Sequence, residues 1–102
     1  MICHIVMFKL KDFAEGASKA ENAEKMTKLL AELPALIPQI KQFAVGVDVL
    51  KSERSYDVAL VGYYDNLTDL DIYAKHPEHL RVVDFILKVR TESHSVDFEV
   101  NV

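Results

Sequence analysis

The sequence predicts a single α+β domain, with one antiparallel four-stranded sheet that carries its helices on one face. Three observations lead there. Four segments read as strands, either by alternation of apolar and polar residues or by β-branched and aromatic runs. Two longer segments repeat apolar residues at helical spacing. The order of the six is β-α-β-β-α-β. At 102 residues the chain has the length of one domain, 1–102.

Residues 2–11 (ICHIVMFKLK) form the first strand, free of glycine and proline. Asp12 to Ala17 is a loop. Ser18-x-x-Glu21 is a capping-box pattern that starts a helix, and Ala23, Met26, Leu30 and Leu33 mark its buried stripe. Pro34 and Pro38 bracket its exit, because proline cannot continue a helix interior. In residues 40–49, Phe43, Val45, Val47 and Val49 share one face while Gln42, Ala44, Gly46 and Asp48 share the other. Lys51 to Arg54 turns the chain into a third strand, residues 56–65. Asn66 caps a short helix to about Ala74, and His76-Pro77 breaks it, since the residue before proline avoids the helical region. Pro77 opens a further helix to about Arg90, with Leu80, Val83 and Leu87 as its stripe. Residues 94–100 alternate as the last strand. This is the ferredoxin-like, split βαβ pattern, with the first and third strands central.

The composition narrows the function. The formal net charge is -4, with no Lys/Arg run and no basic stripe among aromatics, which argues against nucleic acid and a polybasic membrane anchor. No apolar run approaches the ~20 residues of a membrane helix. The N-terminal residues enter a strand pattern directly and lack the features of a signal peptide. Cys3 is the lone cysteine, so no internal disulfide forms, and a cytoplasmic setting is expected. Its neighbour His4 points to the opposite strand face and is poorly placed to activate it.

The two central strands are apolar on both faces. His4, Val6, Phe8 and Leu10 oppose Cys3, Ile5 and Met7; Val58, Leu60 and Tyr64 oppose Ala59, Val61 and Tyr63. The helices cover one face. The other leaves a central apolar patch of very roughly 500 Å², judged from strand spacing and rise. Patches of that size mark an interaction surface, and a homodimer through the open face is the simplest closure.

Several motifs carry a family resemblance. His4-Ile5-Val6-Met7-Phe8-Lys9-Leu10-Lys11 resembles the opening of the stress-responsive A/B barrel domain proteins. So do Phe43-x-x-Gly46, the run Arg54 to Val61, Tyr73-x-x-His76-Pro77-x-His79 and Val96-Asp97-Phe98. The resemblance implies a dimeric α+β barrel in which two ferredoxin-like sheets pack face to face. Most members have no assigned reaction. In a branch similar to olivetolic acid cyclase, a Tyr and a His of the Tyr-x-x-His-Pro-x-His element do acid/base work in an aldol closure. Those positions fall on Tyr73 and His79. Val58 stands where that cyclase has another pocket histidine.

The leading reading is a small-molecule-binding homodimer of unassigned reaction; in the alternative, Tyr73 and His79 are the catalytic pair of a cofactor-free lyase, cyclase or isomerase acting on a small apolar carbonyl compound. Neutral histidine suits proton abstraction near neutrality, and a phenol can donate to the developing oxyanion. His4, Phe8, Val58 and His76 are the candidate substrate-binding residues. The plainer reading makes His76-Pro77-Glu78-His79 a helix-breaking turn, His4 a core histidine and Tyr73 a packing residue. A catalyst predicts an open apolar cavity of ~300 Å³ or more; a binding module without catalysis predicts a narrow or filled cavity and an unperturbed histidine. No metal or cofactor is expected, because His76 and His79 lack an evident third ligand and no phosphate-binding glycine loop occurs.

Overall fold

A computed structural model gives the structure and describes residues 1–101. The chain runs β1 (Ile2–Leu10), β2 (Phe13–Ala14), β3 (Ala17–Ser18), α1 (Lys19–Ala31), α2 (Leu33–Leu36), β4 (Gln42–Val47), β5 (Val58–Tyr64), α3 (Leu67–Lys75), α4 (Pro77–Val89) and β6 (Arg90–Glu99). The main sheet has the order β4-β5-β1-β6, antiparallel throughout, so the two strands with two apolar faces are central. The architecture is the ferredoxin-like α+β fold.

Local chemistry explains most boundaries. Ser18 Oγ accepts from the Glu21 amide while Glu21 Oε1 accepts from the Ser18 amide, which closes the capping box of α1. Asn66 caps α3 by accepting from the Asp69 amide. His76 is extended, as a residue before proline should be, and serves as both C-cap of α3 and N-cap of α4. The two helices therefore meet with no loop between them.

Several expectations need correction. The Asp12–Ala17 stretch is not a plain loop. Glu15 and Gly16 both have positive φ, the requirement of a type I′ turn, and they join β2 to β3 as a small hairpin. Buried Asn22 ties this hairpin to α1 by donating to the Ala14 carbonyl. Pro34 does not end the helical run but sits in the first turn of α2, where its missing N–H costs nothing. β4 stops at Val47, leaving Val49 in an exposed connection rather than on the Phe43 face. β6 starts at Arg90, immediately after α4.

The largest correction concerns α4. Its buried stripe is Val82, Ile86 and Val89, whereas Leu80 and Leu87 are about half exposed. The helix is apolar over more than one face, so periodicity alone allowed either phase. The stripe packs with Phe8, Leu10, Leu60, Met26 and Leu30 in one core between sheet and helices.

Among the described residues nothing covers the opposite sheet face. Register places Ile5 beside Val61 and Val96, and Cys3 beside Tyr63 and Phe98. Met7, Val96 and Phe98 are 41%, 53% and 42% exposed. The patch thus reaches beyond the sheet's centre to the edge strand β6, whose more polar side faces the helices.

Candidate functional site

The site lies at the end of the helix–sheet layer where α3 hands over to α4. β1 presents His4 on its helix-facing side, the last turn of α3 presents Tyr73, and the first turn of α4 presents His79. The loop-free junction at His76-Pro77 brings the last two onto one wall. Their rings are 4.3 Å apart between centroids, tilted by 42°. Tyr64 of β5 stands behind, 5.1 Å from Tyr73, and His4 lies 6.1 Å from Tyr73 and 6.3 Å from Tyr64. Gly62 makes room for this packing: a Cβ there would stand 3.0 Å from the Tyr64 hydroxyl.

Hydrogen bonds fix the two imidazoles. His79 Nδ1 lies 2.9 Å from the Ala74 carbonyl, a helix-end oxygen otherwise short of a donor. A carbonyl only accepts, so Nδ1 carries the proton and Nε2 keeps its lone pair. Burial pushes the His79 pKa down, the Ala74 carbonyl opposes part of that, and the neighbouring His4 and His76 add to the lowering. The ring is therefore neutral at pH 7, with a bare Nε2. His4 Nδ1 bonds the Asp97 carboxylate across the β1–β6 pair, which leaves its Nε2 as the other open position.

The tyrosines are held protonated. Burial pushes the Tyr73 phenol up to about 12. Burial, with Tyr73 as its next neighbour, pushes Tyr64 higher still. Both hydroxyls are buried and neighbour each other, without a hydrogen bond of good geometry among the described residues. A buried hydroxyl so poorly satisfied costs stability to keep.

These groups stand at one end of a half-open cavity of about 270 Å³ between α4 and the inner faces of β1 and β6. Its walls are mainly apolar, from Val6, Phe8, Leu60, Val83 and Ile86, and Ser93 and Ser95 form a polar strip along β6. A dry pocket of about 150 Å³ admits one benzene ring. At about 270 Å³ the cavity falls just below the size expected of a catalyst and has room for a ring with a short substituent.

Of the six residues singled out in sequence, the structure brings His4, Phe8, Tyr73 and His79 together on this cavity. Val58 is elsewhere, fully buried in the core and beside a separate groove with Met7 and Val47. His76 is also absent from the lining. Its Nδ1 accepts from the Glu78 amide at 3.1 Å, so the ring works as the cap of α4. Sequence reasoning missed Asp97, Tyr64 and Arg90. Asp97 becomes visible only through the register that sets it opposite His4. Among the described residues no three His, Cys, Asp or Glu side chains cluster as metal ligands, and no helix is long and apolar enough to cross a membrane.

Comparison with known proteins fits this geometry to a family. The model of the stress responsive A/B barrel domain matches residues 2–100. The chain belongs to the stress-responsive A/B barrel domain family. A relative within it is a stress-response A/B barrel domain-containing protein of Arabidopsis thaliana, 30% identical over 102 residues. That match takes in 96% of this chain but 36% of the plant protein, so the chain spans about a third of that relative's length. Among solved structures, a dimeric protein of unknown function with a ferredoxin-like fold from Bacteroides fragilis is similar with a TM-score of 0.87 and 31% identity, covering 97% of this chain and 95% of that one. A dimeric ferredoxin-like protein of unknown function from Thermobifida fusca is similar with a TM-score of 0.84 and 28% identity, covering 97% and 90%. The family thus fixes the fold and leaves the reaction unassigned.

Proposed function

We propose that this A/B barrel domain catalyses cofactor-free proton transfer on a small, largely apolar carbonyl compound, as a lyase, cyclase or isomerase. One observation carries the reading. A half-buried, neutral histidine with a bare Nε2 packs ring against ring on a buried tyrosine, and both line one mainly apolar cavity. His79 Nε2 takes a proton from the carbon next to the carbonyl and becomes an imidazolium. The electron pair of that C–H bond moves onto the carbonyl oxygen, where the Tyr73 hydroxyl donates to it. The enolate carbon then attacks, eliminates or is reprotonated according to the substrate, and His79 returns its proton. His4, held by Asp97, orients the ligand from the sheet side.

A module that only binds accounts for the His79 bond to the Ala74 carbonyl but not for a bare Nε2 turned to the cavity wall. Pairing of two copies through the open sheet face completes the proposal. The face is apolar across three strands, and similar solved structures are dimeric. Buried, unpaired Cys3 fits a reducing compartment such as the cytoplasm.

The test needs no natural substrate. Phenylacetone in D2O reports α-proton abstraction as deuterium uptake in NMR spectra. Wild type should exchange the α-protons well above the buffer rate, and His79→Ala should fall by the 10²–10⁴-fold typical of a lost general base. Equal exchange by wild type and His79→Ala would end the catalytic assignment.

A further inference from the structure

We infer that the cavity carries an anion subsite at the end remote from His79, where Arg90 receives a carboxylate of the ligand. The inference deepens the proposed function and rests on it, since it names the substrate class as a small carbonyl compound that is also a carboxylic acid.

Three arginines occur in the chain. Arg54 is exposed in the β4–β5 connection, and Arg81 is paired with Glu78. Arg90 is different. It is partly buried, lines the cavity, and makes no ion pair or side-chain hydrogen bond among the described residues. A guanidinium set against apolar walls loses water without gaining a carboxylate, which is unfavourable unless an anion arrives. Its planar fork then offers a carboxylate two parallel charge-assisted bonds.

The surroundings favour a singly charged group. Ser93 and Ser95 lie on the same inner face of β6, opposite Phe8 and Val6, and their hydroxyls can add donors. Asp97, on that face, is bonded to His4 at the far end, and Glu99, also on that face, lies beyond it opposite Ile2. Leu10, the partner of Arg90, lies six positions along β1 from His4, a backbone span of roughly 20 Å that the Arg90 side chain, lining the same cavity, partly bridges. A phosphate would bring up to two charges to a single guanidinium, so a carboxylate is the better match. The carbonyl end of the ligand would meet His79 and Tyr73 while its acid end meets Arg90.

A plainer role for Arg90 exists. It directly follows α4, and a cation there complements the helix dipole. That role predicts an effect on stability with no preference among ligands. Titration of 3-phenylpropionate and its neutral isostere 3-phenylpropionamide, followed by backbone amide shifts of β6 and the His79 imidazole, separates the two. The acid should bind at least tenfold tighter than the amide to wild type. Arg90→Gln should erase that ratio and leave amide affinity unchanged, and Arg90→Lys should keep part of it. Equal affinity in wild type, or an undiminished ratio in Arg90→Gln, would overturn the subsite. Amide binding reports the cavity by itself, so its absence from wild type would remove the cavity reading and the subsite with it. If Arg90→Gln does not fold, Arg90→Lys decides: a ratio as high as that of wild type would also count against the fork.

Discussion

Tyr73→Phe should yield a more stable protein that has lost its function. The hydroxyl of Tyr73 is 1% exposed as part of its residue and finds no partner among the described residues. Leaving a buried hydroxyl unsatisfied costs about 1–3 kcal/mol, and phenylalanine keeps the ring while removing that penalty. The neighbouring Tyr64 hydroxyl offers a weak contact that offsets part of the penalty, so the lower figure applies: a gain of about 1 kcal/mol. In a domain of this size that raises Tm by roughly 4–8 °C. The assay is a far-UV circular dichroism melt of both proteins at equal concentration, since dimer melting depends on concentration. Alkaline pH supplies a second readout. In the unfolded chain the phenol ionises near 10.0, whereas in the fold it keeps its proton to about 12. Tyr73 thus contributes stability present below pH 10 that is lost as pH rises through that window, and Tyr73→Phe should flatten that loss. A variant that melts several degrees below wild type would refute the reasoning, because the hydroxyl would then have a stabilising partner.

Acid should act through His79 in the opposite direction. Its ordinary value is 6.5 and burial lowers it in the fold, so the unfolded chain binds more protons in between; urea midpoints should drop as pH falls below 6.5, with a shallower drop in His79→Gln. Gly62→Ala places a methyl 3.0 Å from the Tyr64 hydroxyl and 3.2 Å from the Phe43 ring, an overpacking expected to cost about 1–3 kcal/mol and readable as a lower Tm. Val61→Glu puts a carboxylate into the open apolar face; an unpaired buried charge costs about 3–5 kcal/mol, so the dimer Kd should weaken by about 10³-fold. Sedimentation of an intact Val61→Glu dimer at micromolar concentration would move the interface elsewhere.

The legible parts of the fold were those in which a local signal and the tertiary requirement agree. The capping box at Ser18 and Glu21, the cap at Asn66 and the break at His76-Pro77 are all local chemistry, and each element begins or ends there. The alternation of β1 and β5 stated their faces directly. The β2–β3 hairpin escaped because its strands are two residues each and its turn pair is Glu-Gly rather than Asn-Gly. The candidate site was legible where residues are neighbours along the chain, as Tyr73 and His79 are. It was opaque where partners are 93 positions apart, as His4 and Asp97 are, because only strand register joins them.

β6 shows why pattern needs context. Its residues alternate, and the usual rule would turn the apolar set, Val96 and Phe98, toward the helices. The register turns them away and sends Arg90, Ser93, Ser95 and Asp97 inward. Had the helix–sheet space been solid core, four polar residues there would have made this register too costly to hold. The arrangement becomes favourable when two conditions hold together. The inner side must border a cavity, where serine, arginine and aspartate meet a ligand or each other's partners. The outer side must meet a second apolar surface, where Val96 and Phe98 leave water. One strand thus links the pocket to the proposed pairing face: its phase is wrong for a solid monomer and right for a protomer that is hollow inside and covered outside. If the dimer pairs through this face, its dissociation would expose Val96 and Phe98 and weaken the register that holds Asp97 against His4. Loss of the interface should therefore also loosen the site, although no residue of the site lies on that face.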